Sequence, residues 1–147
     1  MTRRPLTTLA YALLGLIHRA PLSGYALMRT FQTTPLGPYS GSPGAVYPAL
    51  GKLDRAGLIR GHVERQGSLR PRRVYHLTTK GRDALKRWLS ATVTSDDVAS
   101  RMPDLMLRFA LMEGLLSRSE VSRFLATIAQ AIDEHVSTIE PFLEAPD

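Results

Sequence analysis

Between Thr33 and Gly44 the chain reads TTPLGPYSGSPG, with three prolines and three glycines in twelve residues. Proline fixes φ and lacks an amide proton, and glycine weakens regular structure, so no helix or strand runs through this stretch. The N-terminal half must therefore be built from short elements on either side of a loop. Ahead of it, Leu6, Leu9, Leu13, Leu16 and Ile17, with Ala20, recur at helical spacing and stop at Pro21. That spacing predicts a first helix of about three and a half turns. Ser23 is a good N-cap for a second, short helix in which Leu27 and Phe31 form an i, i+4 apolar pair.

After the loop, Ser42 is placed to cap a third helix with Pro43 at its first position, where a missing N–H costs nothing. Val46, Leu50 and Leu53 mark its core-facing side. Pro48 removes a hydrogen bond if that helix starts at Pro43 and is harmless if regular helix begins near Ala45. Asp54 to Gly57 finish it, with Gly57 expected in the left-handed conformation just past the end. Two strand-like runs follow, LIRGHVER (58–65) and RRVYHL (72–77), and the glycine and proline of QGSLRP between them predict a hairpin with a basic tip. In the second run Arg72, Val74 and His76 alternate with Arg73, Tyr75 and Leu77. Thr78 or Thr79 then caps a fourth helix with Leu85, Trp88 and Leu89 on one side.

Residues 91–103 are polar, end in Pro103 and read as a linker. DLMLRFALMEGLL (104–116) is apolar on nearly every side. Ser117 or Ser119, with Glu120 or Ser122, opens a last helix. Its apolar positions Val121, Phe124 or Leu125, Ile128, Ile132, Val136, Ile139 and Phe142 or Leu143 follow the three-and-four steps of a coiled-coil seam, and Pro141 limits regular helix to about Glu140.

Three short helices followed by a two-stranded hairpin is the order of a winged helix-turn-helix, whose third helix enters the major groove while the wing lies along the backbone or minor groove. The expected fold is mainly α with a small two-stranded β wing, followed by a C-terminal helical dimerisation arm. Its expected divisions are a DNA-binding domain over 1–90, a linker over 91–103 and a helical dimerisation region over 104–147. Charge agrees with this. Residues 1–90 hold fifteen of the 19 Lys and Arg but only Asp54, Glu64 and Asp83 among the acids, a net +12, while residues 91–147 hold four basic and ten acidic residues, a net −6. Such asymmetry points to nucleic acid or a membrane surface at the basic half.

Small residues at the start of the third helix, Ser42, Gly44 and Ala45, permit close approach to DNA, and helix-start N–H groups favour phosphate. Ala45, Tyr47, Pro48, Lys52 and Arg55 fall on its outer side. The wing adds Arg65, Gln66, Ser68, Arg70, Arg72 and Arg73 within nine residues, enough donors for several phosphate contacts.

At these residues the chain resembles a known family. LLGLI (13–17), SGYAL (23–27), SPGAVYPALGKLDRAGLI (42–59) and RRVYHLTTKGRDAL (72–85) are similar to the PadR-type transcriptional regulators. The likeness runs over nearly all of residues 9–89 and includes the tyrosine-proline pair and the Leu-Thr-x-x-Gly turn after the wing. It implies a dimeric repressor with an N-terminal winged-helix domain and helical dimerisation arms, with Tyr47, its neighbours and the wing arginines meeting double-stranded DNA. The C-terminal half has the longer, two-helix arm of one branch of the family. Leu105, Leu111, Phe124, Ile128, Ile132 and Ile139 are the expected dimer contacts. Met102, Met106 and Met112 with Phe109 line either plain dimer core or an adaptable pocket for a small hydrophobic or aromatic effector, since methionine repacks readily. Trp88 is a hinge between wing and arm or a ring for stacking a ligand.

Other classes find little support. There is no cysteine, so disulfides and thiolate metal sites are excluded. His18, His62, His76 and His135 form no i, i+4 pair and join no carboxylate motif, and no metal or other cofactor is expected. Asp96 and Asp97 read as a helix cap or solvated charges rather than an acid/base pair. No nucleophile motif or phosphate-cradling glycine loop occurs, and no enzyme is expected. No run approaches about 18 apolar residues, and the basic-then-apolar start is interrupted by His18 and Arg19, so neither a membrane span nor a secretion signal is expected. The expected compartment is the cytoplasm. The rival reading is a winged helix used only for protein interaction, which would need neither a +12 half nor an arginine-rich wing.

Overall fold

The computed structural model describes residues 6–40, 42 and 44–144. The chain divides into two compact units, Met1–Leu85 and Lys86–Asp147. In the first, α1 (Thr8–Arg19) is followed by β1 (Leu22–Ser23), α2 (Gly24–Thr33), a 3-10 turn (Gly37–Ser40), α3 (Val46–Arg55), β2 (Ile59–Glu64) and β3 (Arg72–Leu77). Helix α4 (Thr79–Leu89) carries the boundary, and the second unit adds α5 (Ser95–Ser100), α6 (Met102–Leu111), α7 (Arg118–Ile139) and a closing 3-10 turn (Glu140–Phe142).

The first two helices start where their caps dictate. Thr7 and Ser23 hydroxyls accept from the Ala10 and Ala26 N–H groups, each at 3.1 Å, satisfying donors that a helix start otherwise leaves open. Each helix buries one stripe. Leu9, Leu13, Leu14 and Ile17 of α1, Leu27 and Phe31 of α2, and Val46, Leu50 and Leu53 of α3 make the core. Removing one such leucine costs about 2–5 kcal/mol.

Helix α3 begins later than Ser42 would set it. Its N-cap is Ala45, with no side-chain cap bond, and Ser42 serves instead as the turn whose carbonyl accepts from the Ala45 N–H at 3.2 Å. Pro43 lies outside the described residues. With Val46 as the first helical residue, Pro48 occupies the first turn, where no intrahelical N–H is required. The far end is a Schellman motif: the Leu58 N–H reaches the Leu53 carbonyl and the Gly57 N–H the Asp54 carbonyl, both at 3.0 Å, with Gly57 at φ +75°.

The sheet has three strands in the order β1-β3-β2, all antiparallel, where the sequence predicts two. The extra strand is only two residues long, Leu22↔Tyr75 and Ser23↔Val74, too short for alternation to reveal. It makes β3 central, which is why Val74 and Tyr75 are both buried although they face opposite sides.

The second unit departs from the sequence reading at residues 91–103. Thr94 and Asp97 form a reciprocal capping box that starts α5 inside the stretch read as linker, and Pro103 opens α6 instead of closing a loop. Helix α6 stops at Leu111 rather than Leu116, with Gly114 at φ +77° in the following turn. Ser117 and Glu120 then form the capping box of α7, the first of the alternatives for that start. No helix among the described residues is long and apolar enough to cross a membrane.

Candidate nucleic-acid interface

Helix α3 turns Val46, Leu50 and Leu53 inward and leaves Tyr47, Pro48, Lys52 and Arg55 exposed, with Ala45 half-buried and Ser42 and Gly44 exposed ahead of it. Among the described residues the N-cap Ala45 supplies no side-chain cap bond, and the positive end of such a helix favours an anion. Tyr47 is fixed from below. A Cβ on Gly24 would come within 3.0 Å of the Tyr47 ring, so the bare glycine of the SGYAL stretch makes the seat on which the tyrosine rests.

The wing is the β2–β3 hairpin, registered from Ile59↔Leu77 to Glu64↔Arg72. Its tip turns through Gly67 at φ +56°, closed by the Leu69 N–H on the Gln66 carbonyl at 3.0 Å. Arg65, Ser68 and Arg70 are exposed there. The other two wing arginines face carboxylates. Arg72 lies 3.9 Å from Glu64 across the ladder, and Arg73 donates to Asp54 of α3 at 3.0 Å. Neither pairing was visible in a list of basic residues.

At the base of the wing, Thr78 caps α4 by accepting from the Gly81 N–H at 3.0 Å, while its hydroxyl donates to the Gly57 carbonyl at 2.7 Å. A Cβ on Gly81 would overlap the Leu58 carbonyl oxygen. The Leu-Thr-x-x-Gly stretch is thus a close backbone crossing between the end of α3 and the start of α4.

In the second unit the expected contact residues separate into two sets. Leu105, Leu111, Phe124 and Met112 are buried in the unit's own core, so their side chains are not presented to a second chain. Exposed instead are Met106 and Phe109 on α6 and Leu125, Ile132, Val136 and Ile139 on α7. The α7 residues fall at heptad steps with half-buried Ile128 and form one stripe. Met102 and Trp88 are half-buried. A cavity of about 210 Å³ in this unit is lined by Leu89, Val93, Leu116, Glu120, Arg123 and Phe124 rather than by the methionines.

Arg108 escaped sequence reading altogether. It is buried, donates to the Leu89 and Ala91 carbonyls at 3.1 and 2.5 Å, and stacks 4.9 Å over the Phe124 ring. Its Nε has no partner among the described residues. Burial pushes its pKa down, and Asp97 opposes that shift. The guanidinium closes the carbonyl end of α4, where a cation is favoured.

The profile of the Transcriptional regulator PadR-like family matches residues 13–87. The chain is 32% identical to the Negative transcriptional regulator PadR of Bacillus subtilis (strain 168) over 115 residues, 78% of this chain and 61% of that protein. It thus spans less than two thirds of that relative's length. Its backbone is similar to that of B. subtilis PadR in complex with operator DNA, with a TM-score of 0.53 at 22% identity, covering 93% of this chain and 94% of the other. The PadR-like transcriptional regulator BC1756 from Bacillus cereus gives a TM-score of 0.53 at 18% identity over 98% of both chains. At those identities the likeness shows the winged-helix fold.

Proposed function

The chain belongs to the Transcriptional regulator PadR-like family, and from that premise we propose that it is a sequence-specific DNA-binding repressor acting as a homodimer on a pseudo-palindromic operator. The carrying observation is the exposed outer face of α3, with Tyr47, Pro48, Lys52 and Arg55, in the same unit as a wing whose tip exposes Arg65, Ser68 and Arg70. On this reading Tyr47 and Lys52 meet base edges in the major groove. The open start of α3, with Ser42, Gly44 and Ala45 beside it, receives a phosphate, and the wing tip holds the flanking backbone. Repression follows the sign of the B. subtilis relative, whose name describes a negative regulator.

The exposed α7 stripe supports the dimer, since six large apolar side chains on α6 and α7 are left in water by a single chain. The functional division stays at 1–90 for DNA, 91–103 as connector and 104–147 for dimerisation. The work is binding rather than catalysis, in the cytoplasm. A small effector of partly apolar, aromatic character would suit the cavity beside Phe124 better than the Met102, Met106, Phe109 and Met112 group. Fluorescence titration of the full chain against its selected operator and a scrambled duplex tests the central reading. Tighter operator binding that weakens steeply with salt is expected. Equal affinity for both duplexes, or none for either, would overturn it.

A further inference from the structure

Asp54 is out of place by two physical criteria. It stands in the last turn of α3, the negative end of the helix dipole, where a carboxylate is disfavoured. It is also one of only three acids in residues 1–90 and sits on the helix read as entering DNA, where it repels phosphate. What it gains is Arg73, whose Nη2 lies 3.0 Å from its Oδ2. Arg73 is held from two other sides. A Cβ on Gly61 would collide with its guanidinium, so the missing side chain opens the path across β2, and the guanidinium lies 5.8 Å from the centroid of the Tyr75 ring.

We propose that the Asp54–Arg73 pair is a latch that sets the angle of the wing against the recognition helix, making Arg73 a positioning residue rather than a phosphate contact. An exposed ion pair adds little to stability, so its value is geometric. Beyond Val63↔Arg73 only one ladder pair remains before the tip, and a two-stranded ribbon is poorly fixed by its own hydrogen bonds. The latch grips the ribbon one pair below the residues that meet backbone. Misalignment there costs operator recognition, which needs helix and wing in register, more than it costs random DNA, which needs only charge.

The inference rests on the proposed DNA reading for its binding arm but has a DNA-free arm as well. In the free full-length protein, Asp54→Asn should lower the backbone order parameters of Gly67 to Arg70, and Arg73→Lys should do the same, because lysine loses the planar fork. Unchanged order in both variants overturns the latch whatever DNA does. On DNA, Asp54→Asn should weaken operator binding several-fold while leaving scrambled DNA as tight or tighter, and Arg73→Ala should match it with an unchanged salt slope. The double variant should be no worse than either single one. If instead Arg73→Ala weakens both duplexes equally and lowers the salt slope by about 0.9, while Asp54→Asn tightens both, Arg73 is a phosphate contact and the latch is wrong.

Discussion

At Gly81 the backbone of α4 passes so close to the Leu58 carbonyl that any Cβ would overlap its oxygen. Alanine normally stabilises an exposed helix position by about 1 kcal/mol over glycine, but here overpacking against backbone should win. Gly81→Ala is expected to lower stability by about 1–3 kcal/mol in denaturant unfolding, and a stabilised variant would show that the crossing relaxes freely. Gly24 serves Tyr47 in the same way. Tyr47→Ala should cost about 1–3 kcal/mol of operator binding with little change in melting temperature. Gly24→Ala should reproduce much of that loss by displacing the ring. His18 is held below its usual pKa of 6.5, first by burial and then by Arg82 and Arg19. Its neutral form is favoured in the fold, so stability is full above about pH 6.5 and falls as the unfolded chain takes up the proton below it. His18→Gln should flatten that fall in melting temperature between pH 7 and 5. The glycines stood in recognisable sequence patterns, yet their reason is a distance between backbones remote in sequence, which no local pattern encodes.

At the level of elements, legibility followed the period of the signal. Helices α2 and α7 were readable because capping residues and apolar steps coincide within a few residues of each other, and α1 by its apolar steps and the stop at Pro21. The two-residue β1 was not, because its pairing to β3 is purely non-local. The start of α3 was misread because Ser42 is a good cap by type, whereas the turn ending at Ala45 displaced the first helical residue to Val46. Residues 91–103 hid α5 because a capping box and six helical residues are shorter than the window in which helical period shows. For α7, Ser117→Ala should cost about 1 kcal/mol by removing the hydroxyl that accepts from the Glu120 N–H. At the wing, the arginines singled out in the sequence differ in their surroundings, since Arg72 and Arg73 face carboxylates while Arg65 and Arg70 lie at the exposed tip. Among the described residues no carboxylate is paired with Arg65 or Arg70, and replacing both with alanine should reduce the log K against log salt slope by about 2. A loss confined to one base pair, with the slope intact, would mean that the wing reads sequence.

For the molecule as a whole, the partition of charge and the α7 stripe belong to one account, in which a basic unit meets DNA and an acidic one meets its own copy. Leu105, Leu111 and Phe124 were reasonable dimer candidates on apolarity alone, but a sequence does not say which of two apolar faces a chain covers for itself. Ile132→Asp combined with Val136→Asp should place charge in the proposed seam and yield a monomer by light scattering. Its operator affinity should fall well beyond any effect on a single half-site, because linked binding is lost. The most direct test is selection from sheared genomic DNA by the full-length protein, with sequencing of the retained fragments. One enriched, twofold-symmetric motif is expected, with half-sites separated by one helical turn, about 34–36 Å. Fragments retained without any shared motif, or with a single asymmetric half-site bound as tightly as the pair, would contradict it.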